Sequence, residues 1–239
     1  MQRTDTANPA WFHKVVDCQW ACPAHTPVPE YIRLIAQGRY DDAYMINWAS
    51  NVFPGILGRT CDRPCEPACR RGRVEENNGA HPEPVAICRL KRVAADMKNG
   101  VQARMPSVAA KNGKRVACIG AGPASLTVAR DLAPLGYDVT VYDGEAKAGG
   151  FIRSQIPRFR LPESVIDEET GYILDLGVTF KSGQRIDSCG YHGSCRCISG
   201  GTYVPTFHYI RTEYAAHGCL GRCIYSILRG KCGLRTIRY

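Results

Sequence analysis

A chain of 239 residues with 44% hydrophobic and 22% charged side chains has enough apolar mass for one large or two small cores, which excludes a disordered or low-complexity protein. No run approaches the roughly 18 apolar residues of a membrane span, and "MQRTDTANPAWFHKVVD" lacks the apolar centre of a secretion signal, so a cytoplasmic protein is expected. The net charge of +9 is concentrated in residues 188–239, where seven Lys or Arg face Glu213 alone, and the 24 basic and 21 acidic residues before them nearly balance, which argues against nucleic acid as a partner.

In chain order, "VPEYIRLIAQG" predicts a first helix, with Pro29 near its start, Ile32, Ile35 and Ala36 at helical spacing and Gly38 as its stop. "DDAYMINWAS" predicts a second. "RTCDRPCEPACRRG" sets Cys61, Cys65 and Cys69 four apart among Pro64 and Pro67, which predicts a loop or broken turns rather than a continuous helix. "PVAICRLKRVAADMKNG" predicts a helix opened by Pro84 and closed by Asn99-Gly100. The period then changes. "RVACIG" predicts a buried strand, "PASLTVARDLAPLG" a helix ended near Pro134 and Gly136, and "YDVTVYD" a second strand. "LPESVIDEETGYILDLG" and "VTFKSG" add a helix and a strand, so a parallel βαβ pattern reaches residue 183. From Ser188 onward, six cysteines and almost no acid follow no period and predict no fold.

The spacing of particular residues carries the chemistry. In "IGAGPAS" Gly120 permits a tight turn and Gly122 a close approach to a pyrophosphate at the following helix N-terminus, with Ser125 in place of a third glycine. Asp143 ends the second strand about twenty residues on, where an acid bonds a ribose hydroxyl. Thirteen cysteines in a reducing compartment argue for metal ligation over disulfides. "CQWACP" places Cys18 and Cys22 with three residues between them and Pro23 after, the closing piece of a bacterial ferredoxin run. Iron–sulfur is favoured over zinc, whose tetrahedral sites usually pair ligands in two matched knuckles, although zinc stays open. Cys118, inside an apolar strand, is expected to be core.

The succession "CQWACPAHTPVPEYIRLIAQGRYDDA", "NVFPGILGRTCDRPCEPACRRG", "PVAICRLKR", "GAGPAS", "AGG" and "IPRFRLP" resembles the small subunit of NADPH-dependent glutamate synthase and the N-terminal half of dihydropyrimidine dehydrogenase, from Cys18 to Gly183. The resemblance implies an α + α/β protein: an all-helical 4Fe-4S domain over 1–105, the first half of a Rossmann-like FAD-binding domain over 106–187, and an anomalous basic, Cys-rich tail over 188–239. It implies electrons passing from NADPH to FAD and through clusters to a partner such as a glutamate synthase large chain, with no side chain as acid-base catalyst. Gly120, Ala121, Gly122, Pro123 and Ser125 would meet the FAD pyrophosphate, Asp143 the adenosine ribose, Gly149 and Gly150 the flavin side, and Arg160 would neighbour the flavin. Cys22, Cys61 and Cys65 match ligands of one cluster, for which Cys88 is a natural fourth, and Cys18 and Cys69 match ligands of another.

The chain also departs from that pattern. The relatives' thiols five and eight positions before Cys18 are His13 and Ala10 here, and Leu57 stands where relatives often carry a further thiol, so one complete cluster is expected rather than two. After "FKSGQRIDS" the resemblance stops, without the NADPH domain or the closing FAD strands. FAD is therefore expected to bind weakly. The tail is what a different reading frame would produce, so a truncated or frameshifted product is expected, against a genuine metal-binding tail. Two rival functions remain: a non-enzymatic iron–sulfur electron-transfer or scaffold module, and a zinc-dependent nucleic-acid binder using the basic tail.

Overall fold

The structure is a computed structural model that describes residues 16–73, 82–186 and 195–198. The chain divides into two compact units, Met1–Met105 with Ile156–Tyr172 and Pro106–Gln155 with Ile173–Tyr239. The segment Ile156–Tyr172 thus groups with the helical unit, although in sequence it follows the first two Rossmann strands.

In the first unit the helices are α1 (Asp17–Ala21), α2 (Val28–Ala36), α3 (Tyr40–Asn51), α4 (Pro54–Thr60) and α5 (Ile87–Asp96). Their common core is Val28, Tyr31, Leu34, Ala43, Cys65, Ile87 and Ala94. The positions 28, 31 and 34 fall on one face of α2, and each large apolar side chain buried there contributes about 1.5–3 kcal/mol. Pro29 and Pro54 occupy the first turns of α2 and α4, where a missing N–H costs nothing. α4 and α5 meet backbone to backbone: a Cβ on Gly58 would stand 2.8 Å from Arg92 Cα, so only glycine fits there. α5 starts at Ile87, three residues after Pro84, and ends at Asp96, inside the predicted span. The helices α1 and α4 were not predicted, since neither "DCQWA" nor "PGILGRT" is long enough to show a period.

The second unit holds a four-stranded parallel sheet of order β3-β2-β1-β4, built from β1 (Arg115–Ile119), β2 (Asp138–Tyr142), β3 (Thr179–Lys181) and β4 (Cys195–Ile198). Val116, Ala117 and Cys118 are all buried, as expected of a strand covered on both faces, and β2 buries Val139 and Val141. The helix α6 (Pro123–Leu132) crosses between β1 and β2 and buries Ala124, Leu126, Val128, Ala129 and Leu132. A short helix α7 (Phe151–Ser154) follows β2, and α8 (Glu163–Leu174) precedes β3. The strand order is that of a doubly wound nucleotide-binding half. β4 pairs Arg115 with Cys195 through Cys118 with Ile198, a strand within a segment for which the sequence predicted none. Among the described residues no helix is long and apolar enough to cross a membrane.

Candidate cluster and nucleotide sites

Six thiols predicted as ligands occur in the helical unit: Cys18 on α1, Cys22 just after it, Cys61 at the end of α4, Cys65 and Cys69 in the turns that follow, and Cys88 on α5. Their mutual electrostatics separate them. Cys88 donates a hydrogen bond to the Cys61 sulfur, which pulls the Cys61 thiol down and, with burial, pushes Cys88 up. Burial pushes Cys65 up to about 12, opposed by the cation of Lys91 and reinforced by Cys22 and Cys61. Cys18 is raised by burial and then by Cys69. Cys22, Cys61, Cys65 and Cys88 thus form one neighbourhood, while Cys18 and Cys69 form another. Tyr31, fully buried between them, feels Cys65, Cys88, Cys22 and Cys18, and donates its hydroxyl to the Ile87 carbonyl at 3.0 Å.

Each thiol is held by a local device. The proline-broken loop after α4 turns at Arg63, whose φ of +62° is costly for a side chain with a Cβ, and the Arg63 N–H points to the Cys61 sulfur at 3.4 Å. Cys88 Sγ lies 3.4 Å from the Leu57 carbonyl, and the Cys88 N–H is taken by Glu66 Oε1 at 3.0 Å. Cys22 Sγ donates to Thr26 Oγ1 at 3.5 Å. Thr26, itself buried, also receives Ser50 Oγ at 3.1 Å and Asn51 Nδ2 at 3.4 Å, which ties the Cys22 turn to α3. Among the described residues no three His, Cys, Asp or Glu side chains already close on one point.

In the Rossmann unit the glycine loop runs from β1 into α6. Gly120 takes φ +89° and donates to the Tyr142 carbonyl at 2.7 Å, Ala121 is fully buried, and Gly122 is the N-cap of α6 with Pro123 in its first turn. Space for a Cβ is open at Gly122, so the loop keeps a free approach to the helix N-terminus. Ser125 is buried where small size lets the helix pack on the strand. Asp143 accepts the Ala121 N–H at 2.5 Å and the Glu145 N–H at 2.8 Å, and so clamps the loop. Gly149 donates to the Ala121 carbonyl at 2.8 Å, while Gly150, at φ +51°, leaves only 2.9 Å between a would-be Cβ and Gly122 Cα. These residues from Gly120 to Gly150 come together as one loop cluster. Arg160 belongs to the other unit, where it is exposed and its Nε donates to the Arg59 carbonyl at 3.1 Å. His13, Ala10 and most of the tail lie outside the described residues.

The sequence reading missed Thr26, Tyr31, Glu66 and Glu169 as supports. Glu169 is buried and hydrogen-bonded to the start of α4, a contact spanning 114 residues of sequence to Gly55. A carboxylate on the second turn of α8, on the face that also carries Ile166, Thr170 and Ile173, was the available signal.

Residues 7–103 match the family described as dihydropyrimidine dehydrogenase domain II, 4Fe-4S cluster, and residues 118–185 match the NAD(P)-binding Rossmann-like domain. The chain is 38% identical to the NADP(+)-dependent formate dehydrogenase subunit beta of Moorella thermoacetica, over 71% of this chain and 26% of that protein. It is 33% identical to a NAD-dependent dihydropyrimidine dehydrogenase subunit PreT homolog of Salmonella typhi, over 83% of this chain and 43% of that protein. It is 35% identical to the NADPH-Fe(3+) oxidoreductase subunit beta of Geobacter sulfurreducens, over 77% of this chain and 27% of that protein. The chain therefore spans less than half the length of these relatives. The thiol turns on the helical unit thus fall within the stretch that matches the 4Fe-4S domain of dihydropyrimidine dehydrogenase domain II, and the glycine loop on the parallel sheet opens the stretch that matches the Rossmann-like NAD(P)-binding domain.

Proposed function

We propose that the chain carries electrons from NAD(P)H through FAD and one 4Fe-4S cluster toward a partner subunit. The observation that carries this reading is the neighbourhood of Cys22, Cys61, Cys65 and Cys88 in a chain that also builds a phosphate-ready glycine loop. Four thiolates are the ligand set of a four-iron cluster, and the Arg63 N–H aimed at sulfur stabilises the anionic form. Cys18 and Cys69 lack two companion thiols, so the second set is incomplete. When bound, the flavin would take the two electrons of one hydride from NAD(P)H and release them singly, and the cluster would hold one at a time. The chain's own residues bind and orient: Gly120 and Gly122 admit the pyrophosphate at the start of α6, Asp143 meets the adenosine ribose, and Gly149 and Gly150 hold the flavin side.

The relatives' names as subunits of larger oxidoreductases support a partner chain as electron acceptor, of which a glutamate synthase large chain is one form. Anaerobic reconstitution tests the reading. About four irons per chain are expected in the parent, with near-complete loss in Cys61→Ala and little change in Cys18→Ala. About eight irons, or equal loss in both variants, would mean two coupled clusters. A flavin absorption band acquired on adding FAD distinguishes FAD from NAD(P) at the glycine loop.

A further inference from the structure

We infer that Glu169 is a positioning residue for Cys61: its buried carboxylate holds the start of the short helix whose end presents that thiol. The inference rests on Cys61 being a cluster ligand. Glu169 lies on α8 with 1% exposure. Its Oε1 accepts the Gly55 N–H at 2.6 Å and the Tyr44 hydroxyl at 2.9 Å, and its Oε2 accepts the Ile56 N–H at 2.9 Å. The first amides of a helix have no partner within the helix, and the residue before α4, Phe53, offers no side-chain cap. A carboxylate from more than a hundred residues away performs the task that Ser, Thr or Asp does locally. Gly55 is matched to it, since a Cβ there would already stand 3.0 Å from Oε1.

The other end of α4 is Cys61, its C-cap, whose N–H bonds the Leu57 carbonyl at 2.9 Å. Seven residues span about 10 Å at 1.5 Å per residue, too short to bend appreciably, so fixing the first turn fixes where the last residue stands. The groups facing the carboxylate are Tyr44 of α3, the cation of Lys98, and Glu168 and Tyr172 of its own helix. Lys98 is ion-paired with Glu168 at 2.9 Å, and the Tyr172 hydroxyl bonds the same Glu168. The donors Gly55, Ile56 and Tyr44 fill Glu169, so its role runs through the helix it holds.

Glu169→Gln tests this in the full chain. The amide oxygen can still accept Gly55, but its NH2 would face the Ile56 N–H donor to donor. Anaerobically reconstituted parent, Glu169→Gln, Tyr44→Phe and Ile166→Val are compared by iron release to a chelator and by the electron paramagnetic resonance of the reduced cluster. Ile166 is fully buried on the same helix and makes no contact with Gly55 or Ile56 through hydrogen bonds, so Ile166→Val is the control for lowered stability alone. The inference requires Glu169→Gln to release iron about tenfold faster with an altered resonance, the scale of one lost hydrogen bond to a charged group. Tyr44→Phe should move both in the same direction by less, which keeps the test decisive even where Glu169→Gln folds poorly. An unchanged resonance and release rate in both variants, or the same changes in Ile166→Val, overturns it. A parent without visible absorption sinks the cluster reading and this inference with it, whereas a loaded parent with unresponsive variants overturns only the role of Glu169.

Discussion

The helical unit builds its candidate site from side chains, and the Rossmann unit builds its own from backbone. Around Cys22, Cys61 and Cys88 the candidate ligating atoms are sulfurs at the ends of rotatable bonds, in a framework hydrogen-bonded to Thr26, Glu66 and Glu169. Around Gly120 to Gly150 the atoms that would meet a ligand are N–H groups, and what matters is the absence of Cβ. A substitution in the first region removes a donor and leaves the fold standing. In the second, at Gly120, Gly149 and Gly150, it removes a conformation.

The sharpest test of that contrast is Cys65→Ala, expected to abolish nearly all bound iron while the apo chain keeps its helical circular dichroism; iron retention close to the parent's would break the comparison on the side-chain side. Gly150→Ala comes next. Its φ of +51° and the 2.9 Å approach to Gly122 Cα should cost about 3 kcal/mol or more, read as a lowered urea midpoint of the Rossmann unit. An unchanged midpoint would show that the loop yields.

The third test is pH. Burial raises Glu169 from 4.5 to about 7, so between those values the folded state keeps a proton that the unfolded chain releases. Stability from this group therefore falls as pH rises across that window, by up to about 3 kcal/mol, and Glu169→Gln should flatten the slope in urea unfolding at pH 5 and pH 7.5. A slope that survives the substitution assigns the effect to another group. A smaller gain is expected from Arg63→Gly: relieving φ +62° should stabilise the apo chain by about 1 kcal/mol, since its ion pair with Glu66 is long, at 3.7 Å, and the Arg63 side chain is more than half exposed. Smallest of all in stability is Gly122→Ala, where φ is −79° and no atom lies within 4 Å of the new Cβ. The melting temperature should stay within about 2 °C of the parent's, while nucleotide binding, followed by fluorescence quenching, is lost.

The parts legible in the sequence were those with a period or a spacing. The span of α2, the buried run of β1 and the alternation of β2 are one-dimensional patterns, and the glycine loop and thiol spacing are chemical ones, although α2 buries Val28, Tyr31 and Leu34 while Ile32 and Ile35 are only partly covered and Ala36 is exposed. The prolines at 64 and 67 correctly denied a helix between Cys61 and Cys69. Short elements were not legible, because five residues of α1 and seven of α4 give no periodic signal above chance. Nor were contacts made over long sequence distances: Glu169 reads as one acid in "DEET" until α8 sets it against Gly55. Arg160, expected beside the flavin from the motif "IPRFRLP", donates to the Arg59 carbonyl, a partner that no local pattern announces.

The open space at Gly122 beside the closed one at Gly150 has an evolutionary consequence. A lineage in which residue 122 drifted to alanine would still express, fold and resist proteolysis, so quality control in the cell would pass it, and only a demand for the bound nucleotide would remove it. At residue 150 the same change would be caught by misfolding before any ligand was tested. In a set of descendants, loss of glycine at 122 with glycine kept at 150 would mark chains that retain the scaffold after giving up the cofactor.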